Sequence, residues 1–231
     1  MNELFDQMKQ RSQATWASGD YSMIGVGFVP VSEQLCETIE LHAGQKVLDV
    51  ATGTGNTALA ASRRYCDVTG IDFVASWLDR ARERASAERL PVQFEEGDAE
   101  ALNFPNNAFD VVLSTFGCMF APDQKKTADE LLRVCKPGGK IGIASWTPES
   151  YVGQLLKTFA RYAPPTPSGL VPPILWGTEE RLLELFADAS ATINMTKKIF
   201  HFRFRSYTHA DEINKNTSDP WLSCIPLWMK T

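Results

Sequence analysis

The sequence lacks what would staple or anchor a fold. Its 231 residues include five cysteines, Cys36, Cys66, Cys118, Cys135 and Cys224, odd in number, scattered, and never in a C-x-x-C pair. That pattern argues against a disulfide framework or a redox motif and reads as reduced thiols, most of them in the core. The three histidines, His42, His201 and His209, lie too far apart to suggest zinc, and no metal is expected. No apolar run approaches the roughly 18 residues of a membrane span. The opening MNELFDQMKQRSQ has mixed charge and no apolar stretch, so it does not read as a signal peptide, and a cytoplasmic location is expected. Basic residues are not in excess, 23 Lys and Arg against 28 Asp and Glu, which argues against a nucleic-acid partner. The charged runs at 80–84 (RARER) and Lys125-Lys126 read as solvated helix faces. There is no internal repeat.

What is present is a regular rhythm. KVLDV from Lys46 is a short apolar run of the kind that forms a buried parallel strand. A glycine turn and a helix follow, then DVTGID, a helix with Leu78, Ala81 and Ala85 on one face, VQFEEGD, and FDVVLST. DQKKTADELLRVCKPGG reads as a helix stopped at Pro137-Gly138-Gly139, and KIGIASW as the fifth strand. Strands alternating with helices predict a doubly wound, mostly parallel α/β sheet with helices on both faces. Upstream, 31–41 reads as a helix capped by Ser32. Downstream, TPESYVGQLLKTFARY and TEERLLELFADA read as helices, the second capped by Thr178, with a proline-rich loop between them. ATINMTKKIFHFRFRS alternates apolar and polar residues, as strands do.

The strongest local signal is VLDVATGTGNTA, Val47 to Ala58. Gly53 and Gly55 allow close backbone approach to a ligand, and a helix N-terminus supplies free N–H donors. At Asp72, nineteen positions after Gly53, the next strand ends in a carboxylate that a doubly wound sheet sets beside the turn, where it can accept two ribose hydroxyls. Gly53 to Ala58 also fits the dinucleotide pattern G-x-G-x-x-A, so a nicotinamide-dependent oxidoreductase stays open. Asp49, four residues before Gly53, is awkward for a pyrophosphate and suits a cationic ligand; alternatively it caps a helix or braces the loop.

This segment resembles motif I of class I S-adenosylmethionine-dependent methyltransferases. Further matches follow in order: Gly97-Asp98-Ala99-Glu100, Phe109-Asp110-Val111-Val112, and L-x-R-V-x-K-P-G-G from Leu131 to Gly139. GDAEALNFPNNAFDVVLS is similar to the ubiquinone/menaquinone-type small-molecule branch. The resemblance covers about residues 12–206. It implies a seven-stranded sheet with the last strand antiparallel. It also implies S-adenosylmethionine as cofactor, S-adenosylhomocysteine as product, and a small-molecule acceptor. Asp49 and the Gly53, Thr54, Gly55 loop would surround the methionyl part, Asp72 the ribose diol, and Phe73 the adenine. Asp98 would accept the adenine amino group beside the Ala99 amide, and Ser114 and Thr115 would line the transfer site. Trp16 and Tyr21, in a WASGDY stretch, would help close over the cofactor.

No side chain stands out as a general base. Cys118, Met119 and Phe120, and Phe159, Tyr162, Leu175 and Trp176, are candidates for an acceptor pocket or simply for core. The expected organisation is one methyltransferase domain, 1–231, with a helical cap (1–40), a cofactor-binding core (41–146), lid helices and closing strands (147–206) and an atypical tail (207–231), as a monomer or homodimer. That tail leaves open a cofactor-binding protein without catalysis.

Overall fold

The computed structural model describes residues 2–18, 22–162, 169–189, 191–210 and 212–213. Five parallel strands form one sheet in the order β3-β2-β1-β4-β5. They are β1 (Lys46–Val50), β2 (Asp67–Asp72), β3 (Val92–Glu96), β4 (Phe109–Thr115) and β5 (Cys135–Ala144). The central strand β1 pairs with β2 through Val47 and Val68 and with β4 through Val47 and Val111. Val47, Leu48, Asp49 and Val50 are all buried, as in a parallel strand covered on both faces.

Helices α1 (Asn2–Ala17), α2 (Ser22–Gly25) and α3 (Val29–Thr38) precede the sheet. Helices α4 (Asn56–Ser62), α5 (Ala75–Glu88) and α6 (Gln124–Val134) cross between strands, and α7 (Tyr151–Ala160) and α8 (Glu179–Leu185) follow. Alternation along the strands splits the core in two. Val47, Val68, Val111 and Leu113 pack with Leu59 of α4 and Leu78 and Ala81 of α5. Leu48, Val50 and Val112 pack with Ala128 and Leu131 of α6, Val152 of α7, and Trp176 and Leu185. Alanines 58, 60 and 61 of α4 are fully buried, and their small side chains let that helix lie close on the sheet.

Three expectations are corrected. Ser32 does not cap a helix: α3 begins at Val29, and Ser32 is buried inside it against Thr57. Pro137-Gly138-Gly139 does not end a helix. Helix α6 stops at Val134 and β5 already runs through these residues, with a register shift between Phe109 and Val111. The sheet has five strands among the described residues, not seven, and all are parallel. Residues 191–204 lie outside any named strand. Their alternation survives as a packing pattern, with Phe200 and Phe202 against the core while His201 and Arg203 are exposed. Thr178 does cap α8, accepting a hydrogen bond from the Arg181 amide. Cys36, Cys66, Cys118 and Cys135 are buried and free, and Cys224 lies outside the described residues.

Candidate functional site

Strand order reverses between β1 and β4, and a doubly wound sheet binds ligands at the carboxyl ends of its strands beside such a point. A cavity lies there. Its lining brings together Trp16, Gly53, Thr54, Asp72, Phe73, Asp98, Ala99 and Thr115 of the residues singled out above. It also takes in Phe120 of the acceptor-pocket candidates, and it adds Lys9, Phe28, Trp77, Glu100 and Phe116. Asp49, Gly55 and Ser114 stand outside the lining. Tyr21 lies outside the described residues.

Backbone N–H groups fix the strand-end acid. Gly53 N–H donates to Asp72 Oδ2 at 2.8 Å, and Val74 N–H donates to Oδ1 at 3.0 Å. Burial pushes the Asp72 carboxyl up to about 6, against these donors. Asp49 sits one layer deeper. Its Oδ2 accepts from Thr52 Oγ1 at 2.5 Å and from the Ala58 amide at 2.9 Å, so it braces the loop and caps α4 from below. Its other oxygen has no hydrogen-bond partner, and burial pushes the carboxyl up to about 7. A buried carboxylate oxygen without a donor is costly unless a cation compensates it.

The two glycines do different things. Gly53, at φ +54, turns the chain so that its N–H faces Asp72. Gly55, at φ +87, begins α4 in the left-handed region, and a Cβ there would lie 3.1 Å from Ala81 Cβ and 3.3 Å from Phe94 Cζ. Gly55→Ala is therefore expected to cost about 1–3 kcal/mol of stability, from the left-handed backbone and overpacking together. Urea unfolding with an unchanged midpoint would contradict that.

Serine 114 is structural: its hydroxyl donates to the Val50 carbonyl and accepts from the Cys118 amide. Thr115 faces the cavity and joins a chain of hydroxyls, with Thr57 Oγ1 2.8 Å from Thr115 Oγ1 and 2.9 Å from Ser32 Oγ. Cys118 and Met119 are buried core, and of that trio Phe120 lines the cavity.

Helix α1 closes one side. Lys9 Nζ lies 2.6 Å from Asp98 Oδ2 and 2.6 Å from Glu100 Oε2, and Gln13 donates to the Phe73 carbonyl. Trp16 packs edge-on against Trp77 and Phe120 at 5.6 and 5.3 Å between ring centres. With α1 in place the cavity holds about 110 Å³.

Two features escaped the sequence reading. Arg84 belongs to a run read as a solvated face, yet its Nη1 donates to the Thr54 carbonyl at 2.6 Å and to Asn56 Oδ1 at 2.8 Å. Burial holds its pKa below the ordinary value. The signal was its place at the edge of the Leu78, Ala81, Ala85 stripe, one turn from Ala81. The second is an open groove of about 2470 Å³ beyond β5. Phe28 and Phe116 line both spaces, and Phe116 stacks on Trp146 at 4.0 Å. Trp176, an acceptor-pocket candidate, is buried against this groove.

Comparison with known proteins bears on this geometry. Residues 47–139 match the family described as "Methyltransferase domain". An uncharacterized protein of Mycobacterium bovis, Mb1438c, is 44% identical over 174 residues, 75% of this chain and 64% of that protein. The chain thus spans a little under two thirds of that relative's length. A second, Mb1440c, is 36% identical over 210 residues, 90% of this chain and 77% of that protein. A demethylmenaquinone methyltransferase of Deinococcus radiodurans is 36% identical over 134 residues, 56% of each chain. Among solved structures, a SAM-dependent methyltransferase of Aquifex aeolicus shares the fold at TM-score 0.56 and 22% identity, over 71% of this chain and 81% of that one. The [4+2]-cyclase SpnF matches at TM-score 0.55 and 28% identity, over 70% and 56%.

Proposed function

The chain belongs to the class I S-adenosylmethionine-dependent methyltransferases, and from that premise we propose that its cavity holds this cofactor for methyl transfer to a small-molecule acceptor. The carrying observation is the pairing of Asp72, fixed beside the glycine turn, with the partnerless oxygen of Asp49 behind it. Two buried acids give a negative potential that suits an ammonium and a sulfonium and repels a pyrophosphate. The aromatic rings of Trp16, Phe73 and Trp77 add faces that favour a cation.

When bound, S-adenosylmethionine supplies a methyl group on a positive sulfur that departs as a neutral thioether. The remaining work falls to this chain's residues. Asp72 accepts from the ribose hydroxyls, Phe73 packs on the adenine, and Asp98 accepts its amino group beside the Ala99 amide. Asp49 supplies counter-charge, Gly53 and Thr54 line the methionyl part, and Thr115 presents a hydroxyl at the end of β4. Catalysis then rests on alignment and exclusion of water, which an in-line displacement needs most. The acceptor comes from the groove side, across Phe28 and Phe116, where aromatic walls suit an apolar body. Sites for ligands of cofactor size run to several hundred Å³, so α1 must stand off for loading, releasing Lys9 from Asp98.

Calorimetry separates the nearest rival. Micromolar binding of S-adenosylhomocysteine with no binding of NAD is expected, and the reverse would remove this reading. A second reading is a protein that binds the cofactor without moving a methyl group, and the match to a structure described as a [4+2]-cyclase is in keeping with a chemistry other than methyl transfer on this fold. Tight S-adenosylhomocysteine binding with no transfer across a broad acceptor panel would favour it.

A further inference from the structure

We infer that Arg84 is a positioning residue for the cofactor: it holds the turn from Gly53 to Asn56 in its binding shape and ties that turn to the N-terminal segment. Thr54 and Asn56 both line the cavity, and a single guanidinium nitrogen of Arg84 reaches the Thr54 carbonyl, Thr54 Oγ1 at 3.2 Å, and Asn56 Oδ1. The Asn56 amide, so oriented, donates to the Gly25 carbonyl at 2.6 Å. Gly25 adjoins the turn (Val26–Phe28) that delivers Phe28 to the wall between cavity and groove. One side chain on α5 thus sets the glycine turn and, through Asn56, the chain that carries Phe28.

The geometry separates this role from general bracing. The Thr54 carbonyl and the Asn56 side-chain oxygen lie on opposite sides of Gly55, whose backbone is left-handed, so Arg84 spans the point where the turn becomes helix α4. One half-buried guanidinium nitrogen, Nη1, meets both acceptors with N–H donors fixed in the plane of the group, whereas an ammonium's three donors rotate freely. Arg63 offers a contrast. It ties α4 to Glu33 and Glu88 at the surface and is not among the residues lining the cavity.

The inference rests on the reading of the cavity as the cofactor's. The test is calorimetry of the full chain with S-adenosylhomocysteine, alongside thermal melting, for native protein, Arg84→Met, Arg84→Lys and Arg63→Met. Arg84→Met keeps the apolar stem and is expected to raise Kd at least tenfold, Arg84→Lys to fall between it and native, and Arg63→Met to leave Kd unchanged whatever its melting temperature. If Arg84→Met does not fold, Arg84→Lys against Arg63→Met carries the comparison. Native-like affinity in the Arg84 variants overturns the role of Arg84 while leaving the cofactor reading intact. An affinity loss in Arg63→Met equal to that in Arg84→Met also overturns it, because affinity would then merely follow stability. Failure of the native chain to bind S-adenosylhomocysteine overturns both.

Discussion

Asp49→Asn is expected to melt higher than the native protein at pH 8 and to bind S-adenosylhomocysteine at least about tenfold more weakly. The amide keeps the single oxygen that Thr52 and Ala58 use and removes a charge that burial disfavours. The folded-state value of about 7 lies above the unfolded 3.8. The folded form therefore binds the extra proton between those values, and native stability falls as pH rises through the window. Three units correspond to about 4 kcal/mol at most. The new amide N–H₂ takes the place of an oxygen that already lacked a partner, which returns about 1–3 kcal/mol of cost. A net gain of roughly 1–3 kcal/mol at pH 8 remains, lost before the pH falls to 4, where the native carboxyl is protonated. Binding runs the other way, because a cationic ligand needs the ionised acid. Native affinity should rise from pH 5 to about 7.5 with proton release, and the variant should lose most of that slope. Melting curves that coincide at pH 8, or an unchanged affinity, would count against Asp49 as a counter-charge.

Asp72→Asn makes the same chemical change and is expected to destabilise the protein at pH 4. Asp72 uses both oxygens, one on Gly53 N–H and one on Val74 N–H. An amide has one acceptor oxygen, so one buried N–H loses its partner at a cost of about 1–3 kcal/mol. Burial holds the native carboxyl up to about 6 against the ordinary 3.8, so removing its charge offsets that loss most above pH 6, by about half as much at pH 5, and little at pH 4. Asp72→Ala goes further at the ligand, weakening S-adenosylhomocysteine by about 1.5–3 kcal/mol through loss of charge-assisted bonds to the ribose. Denaturant unfolding at pH 4 and 8, with calorimetry at pH 8, reads both terms. If Asp72→Asn were as stable as native at pH 4, the two N–H bonds would not matter, and the glycine turn would need another explanation.

Both predictions show what the sequence disclosed and what it withheld. The five strands were legible because parallel strands buried on both faces are written as short apolar runs between helices. The glycine turn and Asp72 were legible because their spacing is set by one βαβ unit. The roles within the turn were not. Gly55 reads like a ligand-facing glycine, but packing against Ala81 and Phe94 is what requires it. Ser114 reads like a transfer-site hydroxyl and serves Val50 and Cys118 instead. Arg84 looks solvated, since a charge run does not say which member turns toward the stripe. Such choices depend on side-chain direction across 30 residues of chain, which periodicity cannot express. The alternation at 191–204 was real, but alternation states only which side chains face inward, not whether a partner strand accepts the backbone.

The strand that ends the sheet has a consequence for behaviour at high concentration. Among the described strands, β5 pairs with β4 alone, and a bare strand edge invites another chain to add itself. Its first half opposes that. Pro137 lacks an amide to offer, the left-handed Gly138 and the register shift twist the ladder, and Lys136 and Lys140 place charges that a partner strand would have to bury. The stretch from Ile141 to Ala144 carries none of these safeguards. Self-association through this edge would therefore begin at the carboxyl end of β5, next to the aromatic wall, rather than along the whole strand.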